Sequence, residues 1–124
     1  QANLYSPFIG KRMRIQTHQI EKDRFVLKPC QSCGDNLNEL IREIRNFISE
    51  TPCPKLILDL RGFNLIYATQ LGILVSTYHF IHYINGEIKI IVDSEQAKLS
   101  IEKLCLTNAH TVMNSQEEKI RITA

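Results

Sequence analysis

Hydrophobic and polar positions change period several times along this chain, and each change marks an element. Arg12 to Ile20 partly alternates, and Phe25-Val26-Leu27 follows a polar turn at Glu21 to Arg24, so the spacing predicts an antiparallel hairpin whose pairing ends at Pro29. Leu37, Leu40, Ile41, Ile44, Phe47 and Ile48 recur at intervals of three and four, which predicts a helix over 36–50 with one apolar stripe. Asn36 and Glu39 offer a capping pair at its start, and Pro52 stops it. Lys55 to Leu60 is a short apolar run typical of a buried strand.

A second helix is expected over 70–84. After a break at Asn85-Gly86 come a strand at Glu87 to Val92, a helix from Ser94 to Leu104 capped by Asp93 or Ser94, and a short strand at Thr111 to Met113. Strand, helix, strand in succession implies right-handed parallel crossovers. The expected fold class is therefore α/β, a mixed sheet with helices mainly on one face. Residues 1–11 hold Pro7 and Gly10 without a sustained period and read as an N-terminal arm, able to pack through Leu4, Tyr5, Phe8 and Ile9. Residues 12–114 form the domain, and 115–124 a tail or short helix.

Length and composition support one domain: 124 residues, 44% hydrophobic and 23% charged, suffice for one core and do not indicate disorder. A net charge of +2 with dispersed basic residues argues against nucleic acid as partner. The longest apolar stretch, Leu71 to Ile84, is interrupted by Ser76, Thr77, His79 and His82 and is too short to span a bilayer. Four cysteines in a domain with its own core read as reduced thiols, and the expected location is the cytoplasm.

Three segments in order carry a resemblance: Leu56-Ile57-Leu58-Asp59-Leu60-Arg61-Gly62-Phe63, then Leu71-Gly72-Ile73-Leu74-Val75-Ser76-Thr77-Tyr78, then Gly86-Glu87-Ile88-Lys89-Ile90-Ile91. Together they resemble the central half of a STAS domain (sulphate transporter and anti-sigma factor antagonist family), and the element order extends the likeness over roughly residues 12 to 114. The resemblance implies a docking or switching module whose partner is an anti-sigma factor kinase, a stressosome component or a transporter component. It implies no catalysis and no cofactor. In the antagonist branch a loop reading Asp-Ser-Ser/Thr-Gly-Leu-Gly is phosphorylated on its first hydroxyl residue. Here the matching residues are Tyr67-Ala68-Thr69-Gln70-Leu71-Gly72. Ala68 has no oxygen to accept phosphate, and Tyr67 replaces the family's acidic residue. Thr69 is a candidate for modification, or else an ordinary N-cap.

At 100° per residue, Leu71, Leu74, Val75, Tyr78 and Ile81 share one face of the second helix, and Ile73, Thr77, Phe80 and Ile84 lie nearly opposite. A helix covering a sheet needs one apolar face. The second predicts either a protein or homodimer contact or burial beneath neighbouring helices or the arm. The expected partner-binding residues are Tyr67, Ala68, Thr69, Gln70, Ile73 and Phe80. A ligand-responsive domain, taking a nucleotide, lipid or anion at the helix start, is the alternative.

Cys30-x-x-Cys33 has a spacing that suits zinc or a redox pair, but the long helix keeps Cys53 and Cys105 from joining one site. No metal is expected. His79 and His82, three apart, lack a carboxylate at an adjoining helical position, and His82 is expected to be half-buried at the core border. Asp59 and Asp93 end strands at the edge where α/β proteins bind ligands, a position that strand terminators and helix caps also occupy. With no Gly-rich phosphate loop, nucleophile elbow or paired catalytic carboxylates, only residue types (Cys30, Cys33, His79) speak for an enzyme.

Overall fold

Lys22 and Asp23 turn the chain between β1 (Ile15–Glu21) and β2 (Arg24–Pro29), which pair antiparallel with Ile15 opposite Pro29 and an irregularity between Gln19 and Glu21. The computed structural model describes residues 14–30, 37–104, 106 and 108–114. The expected arm at 1–11, Asn36 of the capping pair, and the terminal segment 115–124 lie outside the described residues. The pairing ends at Pro29, as expected, and just beyond it the Cys30 amide donates to the Arg14 carbonyl at 2.8 Å.

The chain continues through α1 (Leu37–Glu50), β3 (Lys55–Asp59), α2 (Leu65–His82), β4 (Glu87–Val92), α3 (Glu95–Glu102) and β5 (Ala109–Met113). The strands lie in the order β1-β2-β3-β4-β5, and every pair after the first is parallel. Each crossover steps one place in the same direction, so right-handed connections put all three helices on one face. The fold is thus the expected α/β mixed sheet. Leu27, Leu58 and Ile90 are aligned in register and point at the helices, where they join Leu40, Ile44, Leu71, Val75 and Ile101 in one core. The alternate positions Val26, Ile57, Lys89 and His110 form a row on the opposite face.

Helix α2, central in its layer, contacts both α1 and α3. It starts five residues earlier than the sequence reading places it, because the Asn64 side chain accepts from the Tyr67 amide at 2.8 Å and caps the helix there. It also ends earlier, leaving Ile84 in the following turn. Ser94 caps α3 as expected, its hydroxyl accepting from the Ala97 amide at 3.1 Å.

Candidate docking surface

The early start of α2 moves the presumed loop residues into helix. Tyr67, Ala68, Thr69 and Gln70 stand in its first two turns rather than before it. Ala68 is buried at 1% exposure, so a partner can reach Tyr67 and Gln70 but not the Ala68 methyl. Thr69 is not the N-cap, since Asn64 holds that position. Its hydroxyl oxygen is enclosed and has no hydrogen-bond partner, which leaves a modifying enzyme little access.

The inner face of α2 is made by Ala68, Leu71, Gly72, Val75, Ser76 and His79. Small residues at 68, 72 and 76 follow an interval of four, so one ridge of the helix is low and the backbone approaches its neighbours closely. The Ser76 hydroxyl folds back onto the Gly72 carbonyl, satisfying its own polarity within the helix. This placement corrects the expected faces: Leu74 and Ile81, assigned inward from the sequence, are exposed at 47% and 68%. Ile66 is exposed at 65%, while Ile73 and Phe80 are half-buried. Across its 18 residues α2 holds no Asp, Glu, Lys or Arg.

The expected half-burial of His82 is not met. His82 is exposed, whereas His79 is fully buried, with Nε2 2.9 Å from the Cys53 carbonyl. Burial pushes the His79 imidazole below its ordinary value; the Cys53 carbonyl opposes that shift and His82 reinforces it. Tyr83 packs beside His79 and completes the node: its hydroxyl accepts from the Cys53 amide at 3.1 Å and faces the carbonyls of Thr51 at 2.8 Å and Ile48 at 3.1 Å. The end of α2 is thereby tied to the α1–β3 connection. Burial pushes the Cys53 thiol up to about 11, against a lowering contribution from Tyr83, so this cysteine is a neutral packing group.

At the carboxyl ends of the strands, Asp59 is nearly buried and gripped by Arg61, Nε to Oδ1 and Nη2 to Oδ2, both at 2.9 Å. Lys28 Nζ lies 3.7 Å from Asp59 Oδ1 and donates to the Arg61 carbonyl at 2.7 Å. Burial raises the Asp59 carboxyl, but Arg61 and Lys28 outweigh it and hold the group below the usual range. Asp93 accepts from the Gly62 amide at 2.9 Å, and Gly62 adopts φ 96°, a left-handed conformation that suits glycine. Both aspartates therefore fasten the loop that leads into α2.

Cys33 and Cys105 lie outside the described residues, so the Cys30 and Cys33 redox reading falls there too; Cys30 is half-buried. Among the described residues no group of three or more His, Cys, Asp or Glu is placed to hold a metal ion. No helix among them is long and apolar enough to cross a membrane. A small cleft lies at the β5 edge, lined by Ile101, Glu102, Leu106, Ala109, His110 and Thr111. It is built from α3 and β5 rather than from the start of α2, where the ligand alternative placed its site. No family model, curated protein or solved structure matches this chain.

Proposed function

We propose that this domain is a STAS-like interaction module that binds a partner protein through the outer face of α2 and is not switched by phosphorylation at the family's usual position. One observation carries the reading: the central helix exposes Ile66, Leu74 and Ile81 while having no formally charged residue along its length. Tyr67 and Phe80 border this surface and supply aromatic contact area, Tyr67 with a polar tip. The asparagine-capped start of α2 accords with a surface read by shape and apolar contact. Neither alanine at 68 nor the enclosed threonine at 69 offers an accessible hydroxyl for a charge switch.

The partner in this reading is an anti-sigma factor kinase, a stressosome component or a transporter component, and the module acts by occupancy. Affinity capture from the source cells, comparing the unmodified chain with Tyr67→Ala and Phe80→Glu, tests the placement. Both variants should lose the captured partner while keeping the wild-type circular dichroism. Undiminished recovery with both would reject the α2 surface.

A further inference from the structure

The outer face of α2 is arranged in three axial rows, because residues seven apart drift only about 20° around a helix. One row is Ile66, Ile73 and Phe80; another is Tyr67, Leu74 and Ile81; between them lie Gln70 and Thr77, both exposed. All three rows share a midpoint at the level of residues 73 and 74. The apolar rows are centred on Ile73 and Leu74, and the polar row is balanced on either side. A surface with this layout is complementary to itself.

We infer that a second copy of this chain docks on α2, the two helices packing antiparallel about a two-fold axis beside Ile73 and Leu74; this rests on the docking reading above and names its partner. The axis sets Ile73 against Ile73 and Leu74 against Leu74, with Ile66 meeting Phe80 and Tyr67 meeting Ile81 of the other copy. Gln70 meets Thr77, amide to hydroxyl, so the polar row hydrogen-bonds to its counterpart instead of being buried unpaired. Helix α2 itself brings no formal charge to the contact. The antiparallel sense opposes the two macrodipoles, whereas a parallel pair would align them and set Gln70 on Gln70.

The contact is confined to one helix, which places it among small interfaces. Eighteen residues give about 27 Å of helix, and a stripe of that length falls short of the ~800 Å² per partner of a tight complex. The expected association is weak, with Kd on the order of 1–100 μM.

Sedimentation equilibrium over a concentration series tests this directly. The intact chain should pass from one to two chain masses as concentration rises through the micromolar range. Leu74→Glu, which sets two carboxylates against each other at the axis, should weaken association at least tenfold, while Leu99→Glu, an equally exposed position on α3, leaves it unchanged. The double variant Gln70→Glu with Thr77→Lys fixes the orientation. In the antiparallel pair it opposes carboxylate and ammonium and associates at least as tightly as the wild type, most clearly at low salt. In a parallel pair it opposes like charges and dissociates.

A wild type that remains one chain mass up to several hundred micromolar overturns the second copy as occupant, as does a Leu74→Glu variant that still dimerises. A double variant that comes apart overturns the antiparallel arrangement. If the wild type is monomeric yet Leu74→Glu abolishes capture of a different protein, the docking reading stands and this inference falls. If capture is also indifferent to Leu74→Glu, Tyr67→Ala and Phe80→Glu, both fall.

Discussion

Helices α1 and α2 lie side by side on the same sheet and solve the burial problem in opposite ways. On α1 the large apolar residues Leu40, Ile44 and Ile48 point inward, and Arg42, Arg45, Asn46 and Glu50 point outward. Against the core α2 places small or polar residues, Ala68, Gly72, Ser76 and His79, beside Leu71 and Val75, and leaves Ile66, Leu74 and Ile81 outside. Folding explains the whole of α1. It explains only the inner half of α2, and the apolar outer half is the surface on which the proposed docking role rests.

The largest expected effect belongs to the helix that obeys burial. Ile44, 1% exposed, touches a closed core, so Ile44→Ala should lower unfolding free energy by about 2–5 kcal/mol through lost transfer energy and the cavity left behind. Urea denaturation with an unchanged slope would register it. A loss below about 1 kcal/mol would mean that α1 is not the anchor described.

The inner face of α2 depends instead on what it lacks. A Cβ on Gly72 would stand 2.9 Å from the Ile101 Cδ1 methyl of α3, an end that can shift. Gly72→Ala should therefore be nearly neutral, the ~1 kcal/mol gained in helix propensity offsetting the displaced methyl. Gly72→Val should cost about 1–3 kcal/mol through overpacking, and Ile101→Val should recover part of that loss in a double-mutant cycle. Equal stability of the Ala and Val variants would show that α2 and α3 are not closely apposed here.

A third contrast is that only α2 buries an ionisable group among its core residues. Folding holds His79 below its ordinary value of 6.5, chiefly through burial, so the native state keeps the imidazole neutral where the unfolded chain accepts a proton. Stability from this group is complete above about pH 6.5 and is lost as pH falls below it, by up to about 1.4 kcal/mol per pH unit. Asp59, whose ordinary value is 3.8 and which is held below it, adds its own loss only in more acidic solution. Urea midpoints measured from pH 7.5 to 5 should fall for the wild type and much less for His79→Gln. Parallel curves would assign the acid sensitivity elsewhere.

How legible each helix was in the sequence follows from the same contrast. The α1 stripe repeats at three and four, so its existence, extent and buried face were all readable, as were β3 and β4 from their apolar runs. For α2 the apolar residues lie all round, so hydrophobicity shows a helix but not its phase, and the 100° spacing alone groups Leu74 and Ile81 with the buried Leu71 and Val75. The phase was written in the small residues 68, 72 and 76 at an interval of four. Its start was written in Asn64, a capping residue directly before Leu65 and Ile66. Both signals were overshadowed by the motif at 67–72, which drew the helix start to Thr69. Of the proposed contact surface, Tyr67, Gln70, Ile73 and Phe80 are legible as candidates in the sequence, while Ile66, Leu74 and Ile81 emerge only once the phase is known. The His79, Cys53 and Tyr83 node joins Cys53 to residues 26 and 30 positions away and leaves no local pattern to read.

The smallest expected effect is the one that separates the two helices most cleanly. Ile81→Ala removes as much side chain as Ile44→Ala, yet Ile81 is 68% exposed and leaves no cavity, so unfolding free energy at low protein concentration should move by no more than about 0.5 kcal/mol. Its expected consequence belongs to the proposed association, where the same truncation would remove the contact with Tyr67 across the two-fold and should weaken self-association several-fold. Comparing urea midpoints for both variants at dilute and at high concentration sharpens the distinction. Ile44→Ala should be destabilised equally at both, whereas Ile81→Ala should differ from wild type only where the wild type is dimeric. A loss of stability in Ile81→Ala of the size seen for Ile44→Ala under dilute conditions would put Ile81 in the core of the folded monomer, and the outer face of α2 would lose its separate role.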